Sequence, residues 1–133
     1  MTTVFVDTSA FFAVLDRDDA NHAAAKQVWT DLLRAQVRLL TTSYVLVETA
    51  ALLQHRIGLP AARIFHEDVE PLLQVEWIGA ETHRAGMEAV LAAGRKRLSL
   101  VDCVSFQTMR KMEVRQVFCF DTHFREQGFG VKP

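Results

Sequence analysis

The chain has 133 residues, half of them hydrophobic and 23% charged, which is typical of one folded globular domain and excludes a disordered chain. Its formal net charge of −1 excludes the broad basic surface of many nucleic-acid-binding proteins, so any such contact has to come from local basic patches and metal ions. The sequence has neither a signal-peptide pattern nor an apolar run of membrane-spanning length, so we expect a cytoplasmic protein with no membrane segment.

The first half of the chain alternates short apolar strands with helices. A β-branched strand over residues 2–6 is followed by helices at 10–15 and 22–35, the latter with apolar residues at three- and four-residue steps. A second strand at 37–40 leads through a Thr-Thr-Ser cap into a helix at 44–56, which ends before a glycine.

The second half repeats the alternation. Its predicted elements, in chain order, are a helix at 61–73, a strand at 75–78, helices at 81–93 and 99–112, a strand at 115–120 and an edge strand at 129–131. Strands that alternate with helices favour a parallel sheet covered on both faces. We therefore expect a single α/β domain over residues 1–133.

The two cysteines do not form a metal-binding or disulfide pattern. Cys103 and Cys119 lack a C-x-x-C arrangement and a histidine cluster of zinc spacing. We interpret both as small buried hydrophobic residues in a reducing compartment.

Two aspartates directly follow predicted strands. Asp7 comes after the first strand and Asp121 after the strand at 115–120. Because ligands bind beyond the carboxyl ends of parallel strands, we expect both carboxylates at the same edge of the sheet. The alternative is that each aspartate caps the helix or turn that follows it.

Glu48 and Asp102 lie on predicted helices, where we expect both side chains to face inward. The residues three and four positions from Glu48 are apolar or aromatic, so its carboxylate needs a partner such as a cation. A buried ion pair with arginine, or a helix rotated so that Glu48 lies at its edge, is the alternative. The segment from Ser99 to Asp102 matches a capping box, which is compatible with an Asp102 side chain that also projects into a site.

Four acids at two strand ends and two inward helix faces can converge on one point. Carboxylates that close together repel one another, and divalent cations relieve the repulsion. Oxygen ligands alone favour hard ions such as Mg²⁺ or Mn²⁺. Such a site activates water and stabilises displacement at phosphorus, so we predict metal-assisted phosphodiester hydrolysis.

Four segments of the chain resemble the motifs of PIN domains, in the order of that family. They are V-F-V-D-T-S-A-F at 4–11, T-S-Y-V-L-V-E-T-A at 42–50, L-S-L-V-D-C-V-S-F at 98–106 and V-F-C-F-D-T-H-F at 117–124. The resemblance implies a PIN-like (Rossmann-like) α/β/α sandwich with a central parallel sheet of four or five strands. It also implies an endoribonuclease that depends on Mg²⁺ or Mn²⁺.

The resemblance further implies roles for individual residues. The acids of the four motifs would hold the metal or orient the attacking water: Asp7, Glu48, Asp102 and Asp121. Ser9 would contact a metal-bound water or phosphate, and Ser105 would support the same network or be satisfied within the core. Cys119 departs from the family, many members of which have Thr or Ser there, and a thiol is a weaker hydrogen-bonding group.

A chain this compact is most similar to the VapC-type toxins of bacterial toxin–antitoxin pairs. That similarity implies an RNA substrate, a homodimer and a small antitoxin that inserts a segment into the acidic site. Basic residues just before the third motif are candidates for contact with RNA phosphates, with a solvated charge run as the alternative: Arg95, Lys96 and Arg97. Further candidates lie near the acids in sequence: Arg17, His123 and Arg125.

Two other functions stay open, and the sequence lacks the features of a third. An aspartate-dependent phosphatase would use Asp7 as its nucleophile, but such enzymes typically carry a second aspartate two residues later, where this chain has Ser9. A catalytically silent PIN-like binding module would not need all four acids. A phosphoacceptor signalling module would need an early acidic pair and a late lysine, and neither is evident.

Overall fold

Five parallel strands form one sheet, in the order β3-β2-β1-β4-β5, in a computed structural model that describes residues 2–133. The strands are β1 (Thr3–Val6), β2 (Arg38–Thr42), β3 (Gln74–Glu76), β4 (Gln116–Phe118) and β5 (Gly130–Lys132). Every neighbouring pair is parallel, which confirms the predicted α/β class and the parallel sheet of four or five strands.

Helices cover both faces of this sheet. Val4, Phe5 and Val6 are each at most 1% exposed, and because successive side chains of a strand point to opposite faces, both faces must be covered. The helices are α1 (Thr8–Leu15), α2 (His22–Arg34), α3 (Ser43–Arg56), α4 (Leu59–Ile64), α5 (Ala80–Ala93), α6 (Leu100–Lys111) and α7 (Thr122–Glu126). None of the helices within residues 2–133 is long and apolar enough to cross a bilayer.

The prediction of a single helix at 61–73 is wrong in both length and regularity. Helix α4 begins at Leu59, with Pro60 in the first turn where a missing N–H is tolerated. The chain then continues as a π-helical turn at Phe65–Val69 and a 3₁₀ turn at Glu70–Leu72. Pro71 has no N–H to continue an α-helix, which explains the change of hydrogen bonding at this end.

Strand β2 is longer than predicted and runs directly into its cap. The Thr42 hydroxyl accepts a hydrogen bond from the Val45 N–H at 3.2 Å, so the last residue of β2 is also the N-cap of α3. Thr41 is also held, since its hydroxyl donates to the Val6 carbonyl at 2.9 Å. These two contacts fix the start of α3 against the carboxyl end of β1.

The order of the strands creates a switch point between β1 and β4. From β1 the chain builds the sheet outward through β2 and β3, then returns to the other side of β1 with β4. Ligand sites of open α/β sheets lie at such points, beyond the carboxyl ends of the strands. Val6 pairs with Phe118, so Asp7 follows one of the two strand ends and Cys119 the other.

Candidate metal centre

Asp7 lies buried at the end of β1, with only 3% of its surface exposed. Its backbone N–H donates to the Phe118 carbonyl at 3.1 Å, which holds it against the end of β4. Its side chain accepts a hydrogen bond from the Ser9 N–H and so caps α1. The capping role that the sequence left open is therefore present, and the same carboxylate also lies at the predicted edge of the sheet.

The Ser9 hydroxyl connects the two strand ends. It donates to the Asp7 carboxylate at 2.8 Å and accepts from the Phe120 N–H at 2.9 Å. This second bond takes the Phe120 amide out of the sheet, and β4 ends at Phe118 rather than at residue 120 as predicted. Ser9 thus holds Asp7 in a defined position against the chain that leads to Asp121.

Asp102, Asp121 and His123 form the tightest group at this edge. One ligand atom of each lies within 4.8 Å of the other two. The His123 Nδ1 is 3.1 Å from Asp121 Oδ1 and 3.4 Å from Asp102 Oδ2, yet this buried nitrogen makes no hydrogen bond of proper geometry. A buried polar atom without a partner carries a free-energy penalty, which an ion or water at this position would relieve.

Local capping explains how both aspartates of this group are held. Asp102 and Ser99 form the capping box at the start of α6, each side chain accepting from the other's backbone N–H. Asp121 caps α7 by accepting from the His123 N–H at 2.9 Å. The caps leave carboxylate oxygens of both residues facing the shared site.

The electrostatics of the site favour a cation. Burial raises the pKa of Asp7 to about 7, hydrogen bonds from Ser9 oppose the rise, and the charges of Asp102 and Asp121 add to it. Burial also raises the pKa of Asp102, and the Asp121 charge acts in the same direction. Nearby negative charge thus disfavours the ionised forms of Asp7 and Asp102, and a divalent cation removes that penalty.

The residues present fit a hard divalent metal ion. The donor set consists of carboxylate oxygens with one imidazole nitrogen at its edge, and oxygen donors suit Mg²⁺ and Mn²⁺. The buried His123 Nδ1, which has no hydrogen-bond partner, is a further observation that fits a metal ion at this point.

Glu48 lies on α3 and is not among the residues whose ligand atoms lie within 4.8 Å of one another. Its side chain is half-buried and lines an apolar cavity of about 300 Å³ with Tyr44, Val47 and Val101, the residue before Asp102. Within residues 2–133 it makes no ion pair, so the alternative of a buried pair with arginine does not hold there. Its half-buried position corresponds to the alternative in which it lies at the edge of the helix face.

The other predicted site residues are Ser105 and the basic residues 95–97, and the contacts that the structure gives Ser105 and Arg95 are with other residues. The buried Ser105 hydroxyl donates to the Val101 carbonyl at 2.8 Å, which is the core role that the sequence left open. Lys96 and Arg97 are exposed in the α5–α6 loop, and Arg95 pairs with Glu126 at 2.9 Å.

Comparison with known proteins assigns the chain to a family. The sequence model of the PIN domain matches residues 4–130. The chain belongs to the PIN-domain family. It is 32% identical over 130 residues to the 23S rRNA-specific endonuclease VapC20 of Mycobacterium tuberculosis, covering 95% of each protein. A VapC ribonuclease of Aquifex aeolicus is 23% identical over 124 residues, 93% of this chain and 91% of that protein.

Solved structures agree with this assignment. The crystal structure of Mycobacterium tuberculosis VapC20, described as a sarcin–ricin loop cleaving toxin, matches with a TM-score of 0.85 over 98% of this chain and 99% of that one. FitAcB from Neisseria gonorrhoeae matches with a TM-score of 0.69 over 98% of this chain and 96% of that one. Because FitAcB is only 13% identical to this chain, the match supports the fold and nothing about function.

His123 is the member of the group that sequence reasoning placed only among possible phosphate contacts. The sequence feature that could have indicated it is the position of His123 two residues after an aspartate. In such a turn the backbone N–H of the later residue donates to the aspartate carboxylate, as the His123 N–H does to Asp121. That local turn also brings the ring towards Asp102, on a helix that the sequence does not connect to Asp121.

Proposed function

We propose that this single PIN domain, spanning residues 1–133, is an Mg²⁺- or Mn²⁺-dependent endoribonuclease and the toxin of a toxin–antitoxin pair. The observation that carries the proposal is the convergence of Asp7, Asp102 and Asp121 at the switch point of the sheet. The 32% identity to VapC20 across nearly the whole of both chains supports it independently.

Asp7, Asp102 and Asp121 would hold the metal ion, and Glu48 would complete the site from α3, directly or through water. A bound divalent cation makes water a better nucleophile at neutral pH and balances negative charge at the phosphate. Attack by water on phosphorus breaks the bond to the 3′ oxygen, leaving a 5′-phosphate and a 3′-hydroxyl. Attack by the neighbouring 2′-hydroxyl would instead leave a 2′,3′-cyclic phosphate, so the chemistry of the ends distinguishes the two routes.

The chain's own residues would keep the carboxylates in place and control their protons. The Ser9 hydroxyl holds Asp7, and its donation favours the ionised form of that carboxylate. The capping box orients Asp102 before any ligand arrives. Held in this way, the carboxylates lose little side-chain freedom when the site is filled.

The substrate and partners are proposed from similarity. VapC20 is described as specific for 23S rRNA and its sarcin–ricin loop, so a hairpin with that loop is the first RNA to test. We propose a cytoplasmic homodimer inhibited by a small antitoxin. Large exposed apolar side chains, including Val47 at 70% and Trp77 at 73%, provide surface for protein partners.

The test is cleavage of end-labelled RNA by purified protein with Mg²⁺ or Mn²⁺, and again with EDTA. The sarcin–ricin hairpin and an unrelated single-stranded RNA serve as substrates. Asp7→Asn should abolish cleavage, whereas Asp31→Asn, which changes an exposed carboxylate on α2, should retain it.

Cleavage that requires metal and disappears only in Asp7→Asn supports the proposal. Equal cleavage by Asp7→Asn and the wild-type protein overturns the role of Asp7. If the wild-type protein cuts neither RNA after removal of any bound antitoxin, the hypothesis of a catalytically silent binding module is favoured. Release of phosphate from aryl phosphates instead of RNA cleavage would favour the aspartate-dependent phosphatase.

A further inference from the structure

A second cavity adjoins the acidic site on the side of β5. It has a volume of about 180 Å³, and its walls include Asp121 and Arg125 together with the apolar side chains of Phe120 and Val131. The cavity therefore combines one of the proposed metal-holding carboxylates with a cation and an apolar surface. The proposed metal centre gives no role to Arg125.

Neighbouring residues of α7 determine where Arg125 lies. Phe124 is fully buried, with its ring centroid 5.0 Å from that of Phe106 and 6.3 Å from that of Phe5. Glu126 pairs with Arg95 at 2.9 Å. The residues on both sides of Arg125 are thus held by other parts of the protein, which fixes the backbone from which its side chain projects.

The Arg125 guanidinium is available for a ligand. The side chain is exposed, and within residues 2–133 no carboxylate lies in ion-pair distance of it. Arg125 lines the cavity together with Cys119 and Asp121, so its charge lies beside one of the proposed metal-holding carboxylates. Arg95, by contrast, is already engaged by Glu126.

We propose that Arg125 and this cavity bind the nucleotide next to the cleaved phosphodiester, with the guanidinium on its phosphate and the nucleoside against Phe120 and Val131. The inference rests on the proposed function and names a substrate contact of the same site. Guanidinium groups match phosphate oxygens in a bidentate fork. An RNA strand that approaches three carboxylates needs a compensating cation close by, and Arg125 shares its cavity with one of them.

The first test is the salt dependence of RNA binding. Fluorescence anisotropy with a labelled single-stranded RNA oligonucleotide would be measured in the Asp7→Asn background, where cleavage is not expected. Loss of one phosphate contact lowers the slope of log K against log salt concentration by about 0.7 for a single strand. We expect that change for Arg125→Ala, with binding at low salt weakened roughly tenfold. Arg34→Ala removes an exposed arginine from the last turn of α2 and should leave both quantities unchanged.

The second test separates binding from chemistry. In the otherwise wild-type protein, Arg125→Ala should raise KM for RNA cleavage far more than it lowers kcat, because the contacted phosphate does not react and is bound equally in the ground state and the transition state. Arg125→Lys keeps the charge but loses the fork, so it should restore the salt slope and only part of the affinity.

The outcomes of these tests separate the inference from the proposed function. An unchanged salt slope and KM in Arg125→Ala, in a protein that cuts RNA with metal, overturns the inference and leaves the proposed function standing. Absence of cleavage by the wild-type protein overturns the proposed function, while the anisotropy slope still decides whether Arg125 contacts RNA.

Discussion

The Ser9 hydroxyl accepts a hydrogen bond from the Phe120 backbone N–H at 2.9 Å, joining residues 111 positions apart in the chain. The same hydroxyl donates to Asp7 at 2.8 Å. One small side chain therefore links the carboxyl ends of β1 and β4 and orients a carboxylate between them.

Ser9→Ala should reduce both stability and cleavage. The substitution leaves the Phe120 N–H without its partner and removes a donor from Asp7, so we expect a loss of about 1–2 kcal/mol in the free energy of unfolding. Because the pKa of Asp7 then rises further, cleavage should need a higher pH or more metal. Urea denaturation and the pH–rate profile measure the two effects. Ser105→Ala, which loses only a bond to the Val101 carbonyl, should leave the pH–rate profile unchanged.

The raised pKa of Asp7 makes the stability of the metal-free protein fall with increasing pH. Its carboxyl has a pKa of about 7 when folded and 3.8 as its ordinary value, so the folded state keeps a proton that the unfolded chain releases. The stability linked to this proton is fully present below pH 3.8, falls as pH rises, and is gone above pH 7. Asp7→Asn removes the titration and should be more stable than the wild type near pH 8, by roughly a few kcal/mol.

Urea midpoints in EDTA across this pH range test the Asp7 prediction. The two proteins should converge towards about pH 4, where both side chains are neutral. Added Mg²⁺ should raise the stability of the wild type near neutral pH and have a much smaller effect on Asp7→Asn. Parallel pH profiles for the two proteins would show that Asp7 titrates normally.

Glu48→Gln should reduce cleavage while leaving the fold intact. Glu48 is half-buried and makes no ion pair within the described part of the chain, so its amide should change unfolding free energy by no more than about 0.5 kcal/mol. If it completes the metal site, the cleavage rate should fall by roughly tenfold or more. Glu88→Gln, on the exposed surface of α5, is the matched control. Full activity of Glu48→Gln would remove Glu48 from the site.

Gly86→Ala should destabilise the packing of α5 on α6. An added Cβ would lie 2.6 Å from Val104 Cγ2 and 3.2 Å from Leu100 Cδ1, so the Val104 side chain or the two helices would have to shift. We expect a loss of about 1–3 kcal/mol by urea denaturation, reduced slightly by the better helix propensity of alanine. Gly79→Ala meets nothing within 4 Å and should change stability by less than about 0.5 kcal/mol. Equal stability of the two variants would show that α5 and α6 adapt without cost.

Some local features could be predicted from sequence because their causes are local. The capping box at Ser99 and Asp102 and the threonine cap at the start of α3 involve neighbours within a few residues, and both are present. The helix type of the segment after Pro60 could not be predicted in the same way. Its hydrogen bonding changes from α to π at Phe65–Val69, where Phe65 and Val69 are buried, and then to 3₁₀ around Pro71, which has no N–H. The spacing of apolar residues does not distinguish these helix types.

The sequence by itself determined the class of the fold and the strand end that carries Asp7, because alternation of apolar strands and amphipathic helices is a one-dimensional pattern. It also placed Asp121 shortly after the last strand before the edge, although β4 ends at Phe118 and not directly before Asp121. Only the tertiary structure decided how the acids are arranged. The positions of Asp102 and Glu48 depend on how α6 and α3 pack on the sheet. That packing brings Asp102 together with Asp121 and His123, and Glu48 lines an apolar cavity next to Val101. The raised pKa of Asp7 likewise exists only in the folded chain, because burial and two distant carboxylates produce it together.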